Sequence, residues 1–298
     1  MPPMGMRRLD TPLGELLGVR FAIVQAPRAG VTLAVAIEVS NAGALGFIDG
    51  GSLSPDELRK AIREVRAGTD GPFGVGLYEL AEDTPETREA IASIHAAFAP
   101  LREAAGLSPW SQPVFPTWSY DDLLAVVLEE KPAVCSKLFS PVDPAPLHDA
   151  GILVFGAAAT VEEAEAHAAA GVDAVVVKGE EGGGEHATFI GGGLTPMAEL
   201  VVEAVAAVSV PVIAAGGIAD GAGIAQALDL GAQAVELGTA FLFTPECATP
   251  PAVLETLRTR SYAFTEDVLY KVGNGAPHAR ELPVAELVRT LAFETETA

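Results

Sequence analysis

The chain has 298 residues, 49% apolar and 19% charged, which is ample material for a buried core and unlike a disordered polymer. Lys and Arg number 18 against 40 Asp and Glu, a formal net charge of −22. A surface this acidic repels phosphate backbones and anionic lipids, so neither nucleic acid nor a membrane surface is an expected partner.

The first twenty residues, MPPMGMRRLDTPLGELLGVR, hold a basic pair with no apolar segment behind it, and no export signal is expected. Strands are then predicted at 21–27 (FAIVQAP), 44–50 (ALGFIDG) and 73–80 (FGVGLYEL). Five more follow at 133–138 (AVCSKL), 152–158 (ILVFGAA), 174–179 (AVVVKG), 211–217 (PVIAAGG) and 234–242 (AVELGTAFL). These runs are continuously apolar rather than alternating, as strands buried on both faces are. Helices are predicted between them. SPDELRKAIREVRAG (54–68) has Ser54, Pro55 and Glu57 as a capping box. TVEEAEAHAAAG (160–171) repeats the scheme with Thr160 and Glu163 and closes on Gly171, and 220–231 forms a further helix ending at Gly231.

Strands alternating with helices imply a parallel sheet, and eight such units close a barrel. The expected fold is therefore α/β, a (β/α)8 TIM barrel forming one domain over the whole chain, with its core at about 20–246. About fifty residues between strands three and four (81–132), including PWSQPVFPTW, predict an insertion of a helix, an excursion and a second helix. Residues 243–298 predict a C-terminal tail packed on the barrel. No uninterrupted apolar run approaches the roughly 18 residues of a membrane span. Two cysteines, Cys135 and Cys247, are too few for a disulfide framework, so a reducing, cytoplasmic setting is expected.

In such a barrel the loops at the carboxyl ends of the strands build the site. Four are unusual: APRAG (26–30), KGEEGGGEHATFIGGG (178–193), AAGGIADG (214–221) and LGTAF (237–241). Gly216 and Gly217, followed by a helix capped by Asp220, and Gly238 with Thr239 let backbone N–H groups approach an anion. Paired turns of this kind after strands seven and eight predict a phosphate seat. Glu180, Glu181, Glu185 and His186 lack the helical spacing of a metal site and read as a solvated acidic loop, so no metal is expected. His95, His148 and His167 read as surface residues on helices. KVGNGAPHAR (271–280), which holds His278, is a turn-rich tail segment with two readings, a cover over the site and, preferred, a plain surface loop.

The run from Gln25 to Tyr78, and SNAGALGF (40–47) within it, resembles the opening of the nitronate monooxygenase family; 211–246 resembles the same family's flavin-phosphate segment. The resemblance covers most of residues 20–246 and implies an FMN-binding barrel that oxidises alkyl nitronates with dioxygen. It implies that Ala26 and Pro27 meet the flavin ring, that Gly216, Gly217, Gly238 and Thr239 hold its phosphate, and that Lys178 faces the ring. Arg28, Gly76 and Gly183 join that cofactor set. The chain departs from the family at Arg28, where Met is usual, at Gly76, where Asn is usual, and at Lys178, where Gln is usual. The family's EAGGH reads EGGGEH (181–186) here, so Glu185 takes the place of the catalytic His and His186 lies one residue beyond. Either His186 or Glu185 is then the base, the latter only if burial raises its pKa. In one reading Lys178 and Arg28 stabilise a reduced flavin and attract an anionic substrate; in the other, one of them pairs with Glu180 or Glu181 at the rim. The expected partners are a small-molecule substrate and dioxygen, and a homodimer is allowed for. Two alternatives stay open: a flavin-dependent enoyl-thioester reductase, and a flavin-free barrel that binds a phosphorylated metabolite.

Overall fold

The computed structural model describes residues 8–79, 81–110, 115–186, 188–266 and 268–298. Arg7 of the basic pair, Leu80 of the third predicted strand, residues 111–114 of the insertion, Ala187 and Asp267 lie outside the described residues.

All eight predicted strands form: β1 (Ile23–Gln25), β2 (Gly46–Asp49), β3 (Phe73–Leu77), β4 (Val134–Lys137), β5 (Leu153–Ala158), β6 (Ala174–Lys178), β7 (Val212–Ala215) and β8 (Ala234–Leu237). They run parallel in the order β1-β8-β7-β6-β5-β4-β3-β2. A parallel bridge between Val24 and Leu45 joins the two ends, and the buried Gln25 side chain reinforces it by accepting from Phe47 N at 2.8 Å. The sheet is thereby closed into the predicted (β/α)8 barrel. Ile23, Val75, Val134, Val175, Ile213 and Val235 are fully buried, as strands packed on both faces require.

The helix at Pro55–Gly68 starts on the predicted Ser54–Glu57 capping box, with both reciprocal bonds present. The second expected box is only half formed. Thr160 accepts from Glu163 N, but the Glu163 carboxylate turns elsewhere. The helix Val161–Ala170 then ends on Gly171 at φ +92, and Gly221–Asp229 is capped by Asp220. The eighth predicted strand needs correcting. It stops at Leu237, because Gly238 leaves the extended region (φ −109, ψ −61) and Thr239–Leu242 coil into a helical turn that buries Phe241 and Leu242.

The insertion supplies the two predicted helices, Pro85–Ala104 and Tyr120–Glu130. In the first of these only Arg102 is buried. Its Nε donates to Ser108 O at 2.9 Å and its Nη1 to Thr265 O at 3.2 Å. Those bonds, with the ring cluster of Phe98, Trp110, Tyr262 and Phe264, tie the insertion to an antiparallel hairpin, β9 (Tyr262–Phe264) and β10 (Leu269–Lys271). The tail packs on the barrel as expected. Its last helix, Val284–Thr297, lies on Gly221–Asp229 and Leu33–Asn41. The approach is so close that a Cβ at Gly221 would stand 2.2 Å from Glu294 Cβ. Among the described residues, no helix is long and apolar enough to cross a membrane.

Candidate active site

The carboxyl ends of the strands surround a cavity of about 440 Å³, within the range of small-molecule sites. The first-strand loop brings Ala26, Pro27 and Arg28 to its wall. Gly216 and Gly217 arrive from β7, and Gly238 and Thr239 from β8. The two glycine turns therefore face one space. Gly216 and Gly217 sit at φ +110 and +71, conformations that L side chains rarely adopt. A Cβ on Gly216 would press on Gly179 O and N at 3.1 and 3.2 Å, so the close approach needs a residue with no side chain.

The loop after β6 contributes Lys178, Gly183, Glu185 and His186 to the same cavity. Neither reading of Lys178 and Arg28 as partners of Glu180 or Glu181 is realised. Lys178 Nζ donates to Gly183 O and, at 2.8 Å, to Glu185 O, folding the glycine run back over the strand end. Glu181 instead accepts from Met197 N at 2.9 Å, and Arg28 Nη2 donates to Lys271 O at 2.6 Å. The strand register places Lys178, Ala215 and Glu236 in one row across β6, β7 and β8. Burial lowers the Lys178 pKa and raises that of Glu236, while their mutual attraction opposes both shifts.

Glu185 and His186 differ sharply. Glu185 lies in an ion pair with Lys271 at 2.6 Å, its side chain 61% exposed. Partial burial pushes its pKa up, but the bond to Lys271 and that cation's charge outweigh this and hold it below the ordinary carboxylate value. A base would need the opposite shift. His186 is lowered, first by burial and then by the Lys178 charge, so its imidazole is neutral at pH 7. Its Nε2 is buried with no hydrogen-bond partner among the described residues.

Gly76 is not on the cavity wall. Its Cβ position lies 2.5 Å from Pro27 Cβ, so the missing side chain makes room for the first-strand loop rather than for a ligand. Residues 271–280 depart from the preferred surface loop and follow the other reading, a cover over the site: Lys271, Gly273 and Gly275 line the cavity. Gly183 and Gly273 pass so closely that a Cβ on Gly183 would meet Gly273 N at 2.4 Å. His167, read as a surface residue, is fully buried.

Sequence reasoning missed Asp49, Tyr78, Ser136 and Glu236, all of which line the cavity. Burial pushes Asp49 up to about 6, against a hydrogen bond from Ser52 and the nearby Arg28 charge. Tyr78 is pushed up to about 12, chiefly by burial. Ser136 Oγ is buried without a partner among the described residues. The available signal was a polar residue at the end of an apolar strand run: Asp49 in ALGFIDG, Ser136 in AVCSKL and Glu236 in AVELG.

The nitronate monooxygenase family matches residues 10–292. The chain belongs to that family. It is 40% identical to the nitronate monooxygenase of Paraburkholderia phytofirmans over 78% of this chain and 66% of the relative. It is 36% identical to the enzyme of the same name from Pseudomonas aeruginosa over 94% of this chain and 97% of the relative. Among solved structures, nitroalkane oxidase from Streptomyces ansochromogenes superposes with a TM-score of 0.82 at 30% identity, covering 96% of this chain and 99% of that one. FabK from Thermotoga maritima superposes at 0.74 with 27% identity, covering 96% of each chain. Membership bears out the resemblance drawn from SNAGALGF and supports the expected oxidoreductase reading.

Proposed function

We propose that this member of the nitronate monooxygenase family oxidises a small nitronate or nitroalkane, with flavin mononucleotide as its cofactor and dioxygen as the electron acceptor. The observation that carries the reading is that His186, whose imidazole burial keeps neutral, lines the same cavity as both glycine turns. The residues present suit the cofactor. Backbone N–H groups of Gly216, Gly217, Gly238 and Thr239 would hold the phosphate, Ala26, Pro27 and Gly183 would flank the ring, and Ser136 Oγ is a buried hydroxyl in want of a partner. When bound, the flavin supplies the two-electron oxidation that side chains cannot perform.

The chain's own residues position the substrate and handle its proton. His186, neutral at pH 7 and part of the cavity lining, accepts the proton of a nitroalkane; a nitronate arrives without that proton and needs no base. Lys178 commits two of its three N–H donors to the Gly183 and Glu185 carbonyls, leaving one for the nitro or nitronate oxygens. Glu185, held ionised by Lys271, fastens the loop to the hairpin that shields the cavity from water.

Purified protein carrying FMN should be yellow and consume dioxygen with a nitronate. With a neutral nitroalkane, His186→Ala should lose at least a hundredfold in turnover, whereas Glu185→Gln should keep most of it. Equal activity in both variants, or protein that stays colourless after incubation with FMN, would sink this reading. NADPH without nitronate should leave the flavin oxidised; rapid reduction would favour the enoyl-thioester reductase.

A further inference from the structure

The loop after β6 presents a physical difficulty. Residues 179–196 include seven glycines, at 179, 182, 183, 184, 191, 192 and 193, and such a chain loses much conformational entropy when fixed in one arrangement. Its first half is held by Lys178 and by the Glu185–Lys271 pair. The second half, leaving His186, has a different anchor.

That anchor is Glu163, on the helix that follows β5, fully buried and 23 residues away from His186 in sequence. Its Oε1 accepts from Thr188 Oγ1 at 2.6 Å, Phe189 N at 2.6 Å and Ile190 N at 2.8 Å. Its Oε2 accepts from Ala159 N at 2.8 Å, at the end of β5. One carboxylate thus ties a rigid strand end to three consecutive loop residues. One turn along the same helix face, the buried His167 ring packs edge-on against Phe189 with centroids 5.2 Å apart. Burial pushes the Glu163 pKa up, yet the four donors prevail and keep it low, so the carboxylate is charged and its lone pairs are used. A helix cap alone explains none of the three loop bonds.

We infer that Glu163 is a positioning residue for the reaction, setting where His186 stands by pinning Thr188, Phe189 and Ile190. The inference rests on His186 being the base. The test uses the holoenzyme and two perturbations of the same joint, Glu163→Gln and the milder Thr188→Val, which removes the Thr188 Oγ1 bond to Glu163 and the Gly191 N bond to the same hydroxyl. Both variants should bind FMN normally. Turnover of a saturating neutral nitroalkane should fall at least tenfold, with KM changed less than threefold. The acidic limb of the pH–rate profile should move toward pH 6.5 as His186 loses its buried seat. The His186 ring resonance in the flavin-free protein, assigned through His186→Ala, should titrate with the same shift. Glu163→Asp should recover part of the loss. If both variants keep wild-type turnover and an unmoved His186 titration while His186→Ala is inactive, the anchoring role is wrong and the base assignment stands. If His186→Ala itself turns over normally, the base assignment has failed, and the ring titration alone then decides whether Glu163 sets its position.

Discussion

Replacing Gly238 with Ala separates the phosphate seat from the fold that carries it. Gly238 sits at φ −109 and ψ −61, which an L-residue can adopt. The new Cβ would lie 3.5 Å from Ala26 Cβ, Arg28 Cδ and Arg28 Nη1, ordinary contact distances at the edge of the cavity. The folding cost is therefore small. Losing a glycine from the unfolded chain stabilises by about 0.4–1 kcal/mol, and a poorer cap on a four-residue helix costs a similar amount. Their near cancellation predicts a melting shift of no more than about 3 °C for a chain of this size. The same methyl intrudes where the phosphate would meet the Gly238 and Thr239 amides, and should weaken FMN binding at least tenfold, about 1.4 kcal/mol. Flavin fluorescence quenching on titration of the apoprotein reads this directly. Gly18→Ala is the matched control. It sits at φ +70 with no heavy atom within 4 Å of its Cβ, so it should cost about 1 kcal/mol of stability through backbone strain and leave FMN affinity untouched. Wild-type FMN affinity in Gly238→Ala would refute the phosphate seat, however stable the variant.

Two further outcomes follow from buried charges. Lys178→Met removes two hydrogen bonds and leaves Glu236 without its cation; it should cost about 1–3 kcal/mol in urea unfolding, and the double variant Lys178→Met/Glu236→Gln should recover the part due to the unpaired carboxylate. A double variant as unstable as the single one would show that the two residues are not coupled. Asp49 has its pKa raised from 3.8 to about 6, so the native state holds the extra proton between those values. The resulting penalty is nil below pH 3.8, grows as pH rises and is complete above 6, at about 3 kcal/mol as an upper figure. Asp49→Asn should therefore raise the melting temperature at pH 7.5 and scarcely alter it at pH 4; equal shifts at both would contradict the assignment.

Much of the barrel was legible because its signals are local. Continuous apolar runs, Ser54 with Glu57, and Gly171 at a helix end each act within a few residues, and each was realised. The glycine turns were legible for the same reason, since Gly216 and Gly217 advertise backbone geometry directly. What escaped was set by contacts distant in sequence. Glu163 carries the same local pattern as Glu57, yet its carboxylate is claimed by residues 188–190, which periodicity cannot foresee. Gly76 entered the cofactor set only through the family resemblance, and Pro27, 49 residues earlier, fills the space above it. Lys271 and Gly273 looked like surface turn residues until the hairpin brought them over the cavity.

The charge of −22 would, taken alone, argue against an anionic substrate. Surface charges more than a Debye length away, about 8 Å at physiological salt, act weakly on the cavity. The groups on its wall therefore decide, and there each cation has a carboxylate from another element. Arg28 lies near Asp49, Lys178 near Glu236, and Lys271 pairs with Glu185. Compensation within each pair leaves the cavity close to neutral while keeping N–H donors in place. An anion entering it meets oriented donors without a large opposing field, and His186 stays unprotonated beside Lys178. Removing one carboxylate, Glu236 or Glu185, would unmask a cation and tighten anion binding, but the added positive charge would also lower the basicity of His186. The wall is thus balanced between holding an anion and keeping a base.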